Sequence, residues 1–142
     1  MIVDFYHLTA SPLERVLPSI AEKVVAGGGR LLVVAETDRL AWLDEQLWSY
    51  SKDSFLPHGR EFPEGQPVFL SPEPAAANGA NSIALADGRW REEALGFERT
   101  FYFFDDEGRE GAREAWRGLR GRADVEARYW KQNERGKWVQ GP

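Results

Sequence analysis

Cysteine is absent from this 142-residue chain, which excludes disulfide bonds and thiolate chemistry and is compatible with a reducing compartment. Histidine is nearly absent too. The only two, His7 and His58, lie too far apart in sequence to form a recognisable metal motif. No apolar run approaches the roughly 20 residues a membrane helix requires, and the N-terminus lacks a secretory pattern, so a cytoplasmic location is expected. A basic excess is also missing. The formal net charge is −5, which argues against a general nucleic-acid binder. The glycine run Gly27-Gly28-Gly29 follows a helix pattern and precedes a strand pattern, the reverse of a phosphate-binding turn, and no Lys-Ser/Thr pair follows it. The carboxylate pairs Asp44-Glu45 and Asp105-Asp106 lack a partnering base and read as caps and solvated faces.

What remains is a chain long enough for one domain, residues 1–142, with a sizeable core. Its 42% hydrophobic and 29% charged residues place it among soluble globular proteins. Ile2 to Leu8 reads as a strand with Val3, Phe5 and His7 on one side. Ser11-Pro12-Leu13-Glu14 resembles a capped helix start, with Ser11 as N-cap and Glu14 closing a capping box. Leu13, Val16, Leu17, Ile20, Ala21 and Val24 then form an apolar stripe, with Pro18 inside it as a kink or as the true beginning. Arg30 to Ala35 is a continuous apolar run, as expected of a central parallel strand covered on both faces.

A second helix starts at Thr37 or Asp38 and carries Leu40, Leu43 and Leu47 on one face. Glu61–Pro67 and Ser71–Asn81 read as loops. Val68–Leu70, Ser82–Leu85 and Glu98–Phe104 read as strands. A helix over Glu107–Leu119 is started by Asp105 or Asp106, and Val125–Trp130 reads as the last strand, turning at Glu134-Arg135-Gly136. Alternating strands and helices predict an α/β fold: an open, mostly parallel sheet with helices on both faces, Rossmann-like without a phosphate loop.

Two segments stand out as candidate binding elements. In Leu40–His58, Trp48 falls roughly 80° from Leu40 at about 100° per residue, off the apolar stripe, and Phe55 follows in an extended run before Pro57. They are either margin-of-core aromatics or an anchor for a partner. In the late helix, Arg109, Arg113 and Arg117 are spaced four apart, with Arg120 on the same side. Like charges at this spacing cost a few tenths of a kcal/mol per pair unless compensated. Glu110 and Glu114 offer local pairing; the other reading is a site for an anionic ligand, because Trp116 lies between the arginine line and the apolar line Ala112, Ala115, Leu119. From Arg109 onward there are nine Lys or Arg against five Asp or Glu, a local basic surface suited to a specific anionic partner. His7 reads as structural and His58 as a hydrogen-bonding turn residue.

The order Val3-Asp4-Phe5-Tyr6-His7-Leu8, Arg30 to Ala35, Leu43-Asp44, Leu47-Trp48, Ser54-Phe55, Pro57-His58 and Ala112 to Arg117 resembles the chi subunit of bacterial DNA polymerase III over nearly the whole chain, less between Pro63 and Gly96. The resemblance implies a non-catalytic accessory subunit with no cofactor. Its expected partners are the psi subunit, through it the clamp loader, and the acidic C-terminal tail of single-stranded-DNA-binding protein, with DNA contact indirect. The family positions for that tail correspond to Trp48, Phe55, Arg109, Arg113, Trp116 and Arg117. Trp116 and Arg117 replace what is often tyrosine and lysine. The implied pocket takes the terminal phenyl ring between Trp48, Phe55 and Trp116 while arginines hold the carboxylates, giving micromolar, salt-sensitive binding. The alternatives are a divergent nucleotide-binding or hydrolytic enzyme on a doubly wound sheet, and a tail-binding adaptor for a repair helicase.

Overall fold

A computed structural model describes residues 1–49, 58–75 and 77–141, and eight strands and three α-helices lie among them. The chain runs β1 (Ile2–His7), α1 (Leu13–Ala26), β2 (Leu31–Val34), α2 (Thr37–Ser49), β3 (His58–Gly59), β4 (Val68–Ser71), β5 (Ser82–Leu85), β6 (Arg99–Phe104), α3 (Arg109–Leu119), β7 (Glu126–Gln132) and β8 (Trp138–Gln140). The strands form one open sheet in the order β3-β4-β2-β5-β6-β1-β7-β8. Every neighbouring pair is parallel except β7 and β8.

Because side chains alternate across a strand, this sheet divides the core in two. Leu31, Val33, Phe101 and Phe103 face one way, packed with Leu13, Leu17 and Ala21 of α1 and Leu40, Leu43 and Leu47 of α2. Leu32, Val34, Val3, Phe5, Tyr102 and Phe104 face the other way, packed with Ala112, Ala115 and Leu119 of α3. All four residues of β2 are buried, as a strand covered on both faces requires.

The helix ends differ from the sequence expectation. Pro12 rather than Ser11 is the N-cap of α1, and no side-chain cap bond forms; the Ser11 hydroxyl instead accepts from Gln132 Nε2 at 3.0 Å. Helix α1 runs continuously through Pro18, which is buried. It ends in a Schellman arrangement, with Gly28 N–H bonded to the Val25 carbonyl and Gly29 N–H to that of Val24. Gly28 carries φ +84° there, a conformation that costs glycine little. Helix α2 already includes Thr37 and Asp38, so neither is its cap. Helix α3 begins at Arg109 after Gly108, two residues later than expected, because Asp105 Oδ1 accepts the N–H groups of Glu107 and Gly108 at 3.0 and 3.3 Å and holds them in a turn.

Two strands were not anticipated. His58 belongs to β3 rather than to a turn; it is buried, with Nε2 3.1 Å from Asp44 Oδ1. β7 is not the last strand, because the chain turns at Gly136 and returns as β8. Both are too short to show a period.

A buried carboxylate ties the sheet together. Asp4 on β1 has no solvent exposure. It accepts from Arg128 (2.7 and 3.0 Å), Arg99 (2.9 and 3.1 Å) and Trp130 Nε1 (2.9 Å). Burial alone would raise its pKa; the hydrogen bonds from Arg128, Trp130 and Arg99 outweigh it and hold the group below its ordinary value.

Candidate functional site

The late helix packs close to the sheet because its inward residues are small. Ala112 and Ala115 are buried with Leu119, which sets Trp116 edge-on against Phe5 (5.3 Å between ring centroids) and Tyr129 (5.9 Å). Between α3 and β7 lies a groove of about 400 Å³. Phe104, Ala112, Trp116 and Tyr129 give it apolar surface; Arg109, Arg113 and Arg117 from the helix, and Lys131 from β7, give it positive charge. The register explains the sheet side. His7 pairs with Phe104 on β6 and with Lys131 on β7, and Phe5 pairs with Tyr129, so these residues share one face in adjacent rows.

The cations are little compensated. Arg113 lies 3.6 Å from Glu110, with both side chains largely exposed, a pairing worth well under about 1 kcal/mol. Among the described residues, Arg109 and Arg117 have no carboxylate within ion-pair distance. On the sheet side, His7 Nε2 is 2.9 Å from Asp106 Oδ1 and Nδ1 is 3.3 Å from the Tyr129 hydroxyl. Burial raises the Tyr129 pKa, a shift that Arg113 and Arg109 partly oppose and Asp106 reinforces, so this hydroxyl stays protonated across the neutral range. The arrangement suits a ligand with an aromatic end and negative charge: rings to stack on, guanidiniums for charge-assisted hydrogen bonds.

Four of the residues singled out from sequence, Arg109, Arg113, Trp116 and Arg117, line this one groove. Trp48 does not. It sits at the end of α2, 58% exposed and tilted over His58 at 4.8 Å. The leucines of α2 pack on the sheet face opposite to the one that α3 covers, so among the described residues Trp48 and Trp116 do not line one groove. Phe55 lies outside the described residues. His7, Phe104, Tyr129 and Lys131 were not anticipated at the site. Odd numbering on β1 and β7 puts His7, Tyr129 and Lys131 on a common face, and Phe104 joins them through its pairing with His7, but that becomes informative only once these strands are known to be neighbours.

Open parallel sheets usually bind nucleotides beyond the carboxyl ends of their strands. A crevice of about 1120 Å³ is present there. Its charged lining is mostly acidic, with Glu36, Asp87, Asp105 and Glu114 among seven carboxylates against Arg39 and Arg89, and this repels phosphate. In the β1–α1 turn, moreover, the N–H groups of Ala10 and Ser11 both donate to Gln132 Oε1 at 3.0 Å, so they are not open to an anion. Among the described residues, no helix is long and apolar enough to cross a membrane.

The family model "DNA polymerase III chi subunit, HolC" matches residues 1–126. A curated relative from Rickettsia prowazekii (strain Madrid E), named "Probable DNA polymerase III subunit chi", is 23% identical over 86 residues. That match covers 58% of this chain and spans about half, 52%, of the relative's length.

Proposed function

The chain belongs to the DNA polymerase III chi subunit family, an accessory-subunit family of DNA replication, and from that premise we propose that it is a non-catalytic adaptor. In this reading the α3–β7 groove captures the acidic C-terminal tail of single-stranded-DNA-binding protein. A separate surface joins psi and, through it, the clamp loader. The observation that carries the reading is the convergence of Arg109, Arg113, Arg117 and Lys131 around an aromatic surface made by Phe104, Trp116 and Tyr129.

A terminal phenyl ring stacks against Trp116 and Tyr129, and the carboxylates meet the guanidiniums. Each such charge-assisted bond contributes about 1.5–3 kcal/mol when partly desolvated. Trp48, at the end of α2, is not among the residues lining this groove. An enzyme acting on nucleotides is disfavoured by the acidic crevice and the occupied turn amides.

Fluorescence anisotropy of a labelled acidic peptide ending in Pro-Phe with a free carboxylate tests the reading. Micromolar binding is expected, weaker at high salt, lost in Arg113→Ala and in a peptide lacking its final Phe. A well-folded wild type that ignores the peptide would sink the groove assignment. Copurification of clamp-loader subunits, rather than a repair helicase, would support the polymerase role.

A further inference from the structure

His7 is a titratable group that the tail-capture reading leaves without a role. It sits inside the groove with its side chain 12% exposed. Phe104 stacks beneath its ring at 5.0 Å, 13° from parallel, and both ring nitrogens are engaged. The Asp106 carboxylate accepts here. Nε2 therefore carries the proton it shares at 2.9 Å, and the neutral ring leaves Nδ1 as an acceptor. The 3.3 Å contact to Tyr129 is then donated by the Tyr129 hydroxyl, whose single proton is spent on His7. Toward the groove Tyr129 offers only lone pairs, the wrong polarity for a carboxylate.

Protonation of His7 reverses this. Nδ1 gains a hydrogen and donates to the Tyr129 oxygen, and the Tyr129 O–H is released to donate to a ligand. Building on the groove assignment above, we propose that His7, acting through Tyr129, positions the hydrogen-bond donor that receives the acidic end of the peptide. Capture of a carboxylate is thereby coupled to uptake of one proton by His7.

The charged groups facing His7 are Asp106, from the turn before α3, Arg109 and Arg113 on α3, and Lys131 on β7, while β6 presents the uncharged Phe104. An incoming carboxylate would pair with those cations and remove charge of the same sign as a protonated ring. Tyr129 remains a neutral donor throughout, because burial raises its pKa.

The test is anisotropy with an N-acetylated acidic peptide ending in Pro-Phe with a free carboxylate, between about pH 8 and pH 6 at constant ionic strength, a range in which peptide carboxylates do not titrate. Affinity is expected to rise as pH falls, by at most about tenfold per pH unit, the limit for one proton. The profile should flatten in His7→Gln and Tyr129→Phe and persist in His58→Gln, the other histidine being on β3. Should His7→Gln fold poorly, the His7 ring resonances of the wild type serve instead: their titration midpoint should move up when peptide is added. A wild type that binds with a flat profile, a His7→Gln variant that keeps the wild-type slope, or an unmoved midpoint would overturn the coupling and leave the groove assignment standing. Absence of binding at every pH would overturn both.

Discussion

Arg99 and Arg128 lie against one face of the central strand β1, while Arg109, Arg113 and Arg117 lie over the other. On the first face the guanidiniums converge on Asp4, which has no exposure, at 2.7–3.1 Å. On the second, among the described residues, only Arg113 of the three has a carboxylate within ion-pair distance, the exposed Glu110 at 3.6 Å. The same side chain thus serves two ends. Charge satisfied by a buried carboxylate holds strands β1, β6 and β7 together. Charge left unsatisfied beside aromatic rings remains available for a ligand, at a cost in helix stability of a few tenths of a kcal/mol per like-charged pair.

Replacing Asp4 should break the first cluster with the largest effect on the molecule. Asp4→Ala strands two guanidiniums in a partly buried site, and breaking a buried pair typically costs about 3–5 kcal/mol, readable as a fall in denaturation midpoint. Acid should reach the same cluster without mutation. The folded pKa of Asp4 is held below its unfolded value, so its contribution is fully present above the unfolded pKa of about 3.9 and is lost as pH falls through the folded value. Denaturant titrations at stepped acidic pH should show that loss, and it should be absent in Asp4→Asn.

The second cluster should respond in binding and not in stability. Arg117→Ala is expected to weaken the acidic peptide by roughly tenfold or more, from a charged hydrogen bond of about 1.5–3 kcal/mol, while the denaturation midpoint moves by less than about 0.5 kcal/mol. A parallel loss of stability would erase the distinction between the two faces. Smallest of all, Trp48→Ala should leave peptide affinity within about twofold, since its helix packs on the opposite face; a large loss would mean that the peptide reaches around the sheet.

Much of this was legible in sequence. Helices α1 and α2 and strand β2 declare themselves through apolar periodicity or a continuous buried run, and the arginine line of α3 through four-residue spacing. The caps differ from the sequence expectation because each candidate side chain has another partner, distant or local. Ser11 is taken by Gln132, and Asp105 is used in a turn rather than as the cap of α3.

Local spacing determined that this chain forms an open α/β sheet and that one helix carries aligned arginines beside a tryptophan, because both follow from the repeat of a helix or strand over a few residues. Tertiary structure alone decided that Trp48 and Trp116 stand on opposite faces, that Asp4 gathers Arg99 and Arg128, and that His7 meets Tyr129. Those relations depend on which face each crossover takes and which strands become neighbours. Packing across 95 to 126 residues of chain settles the Asp4 cluster, and no short-range pattern encodes it.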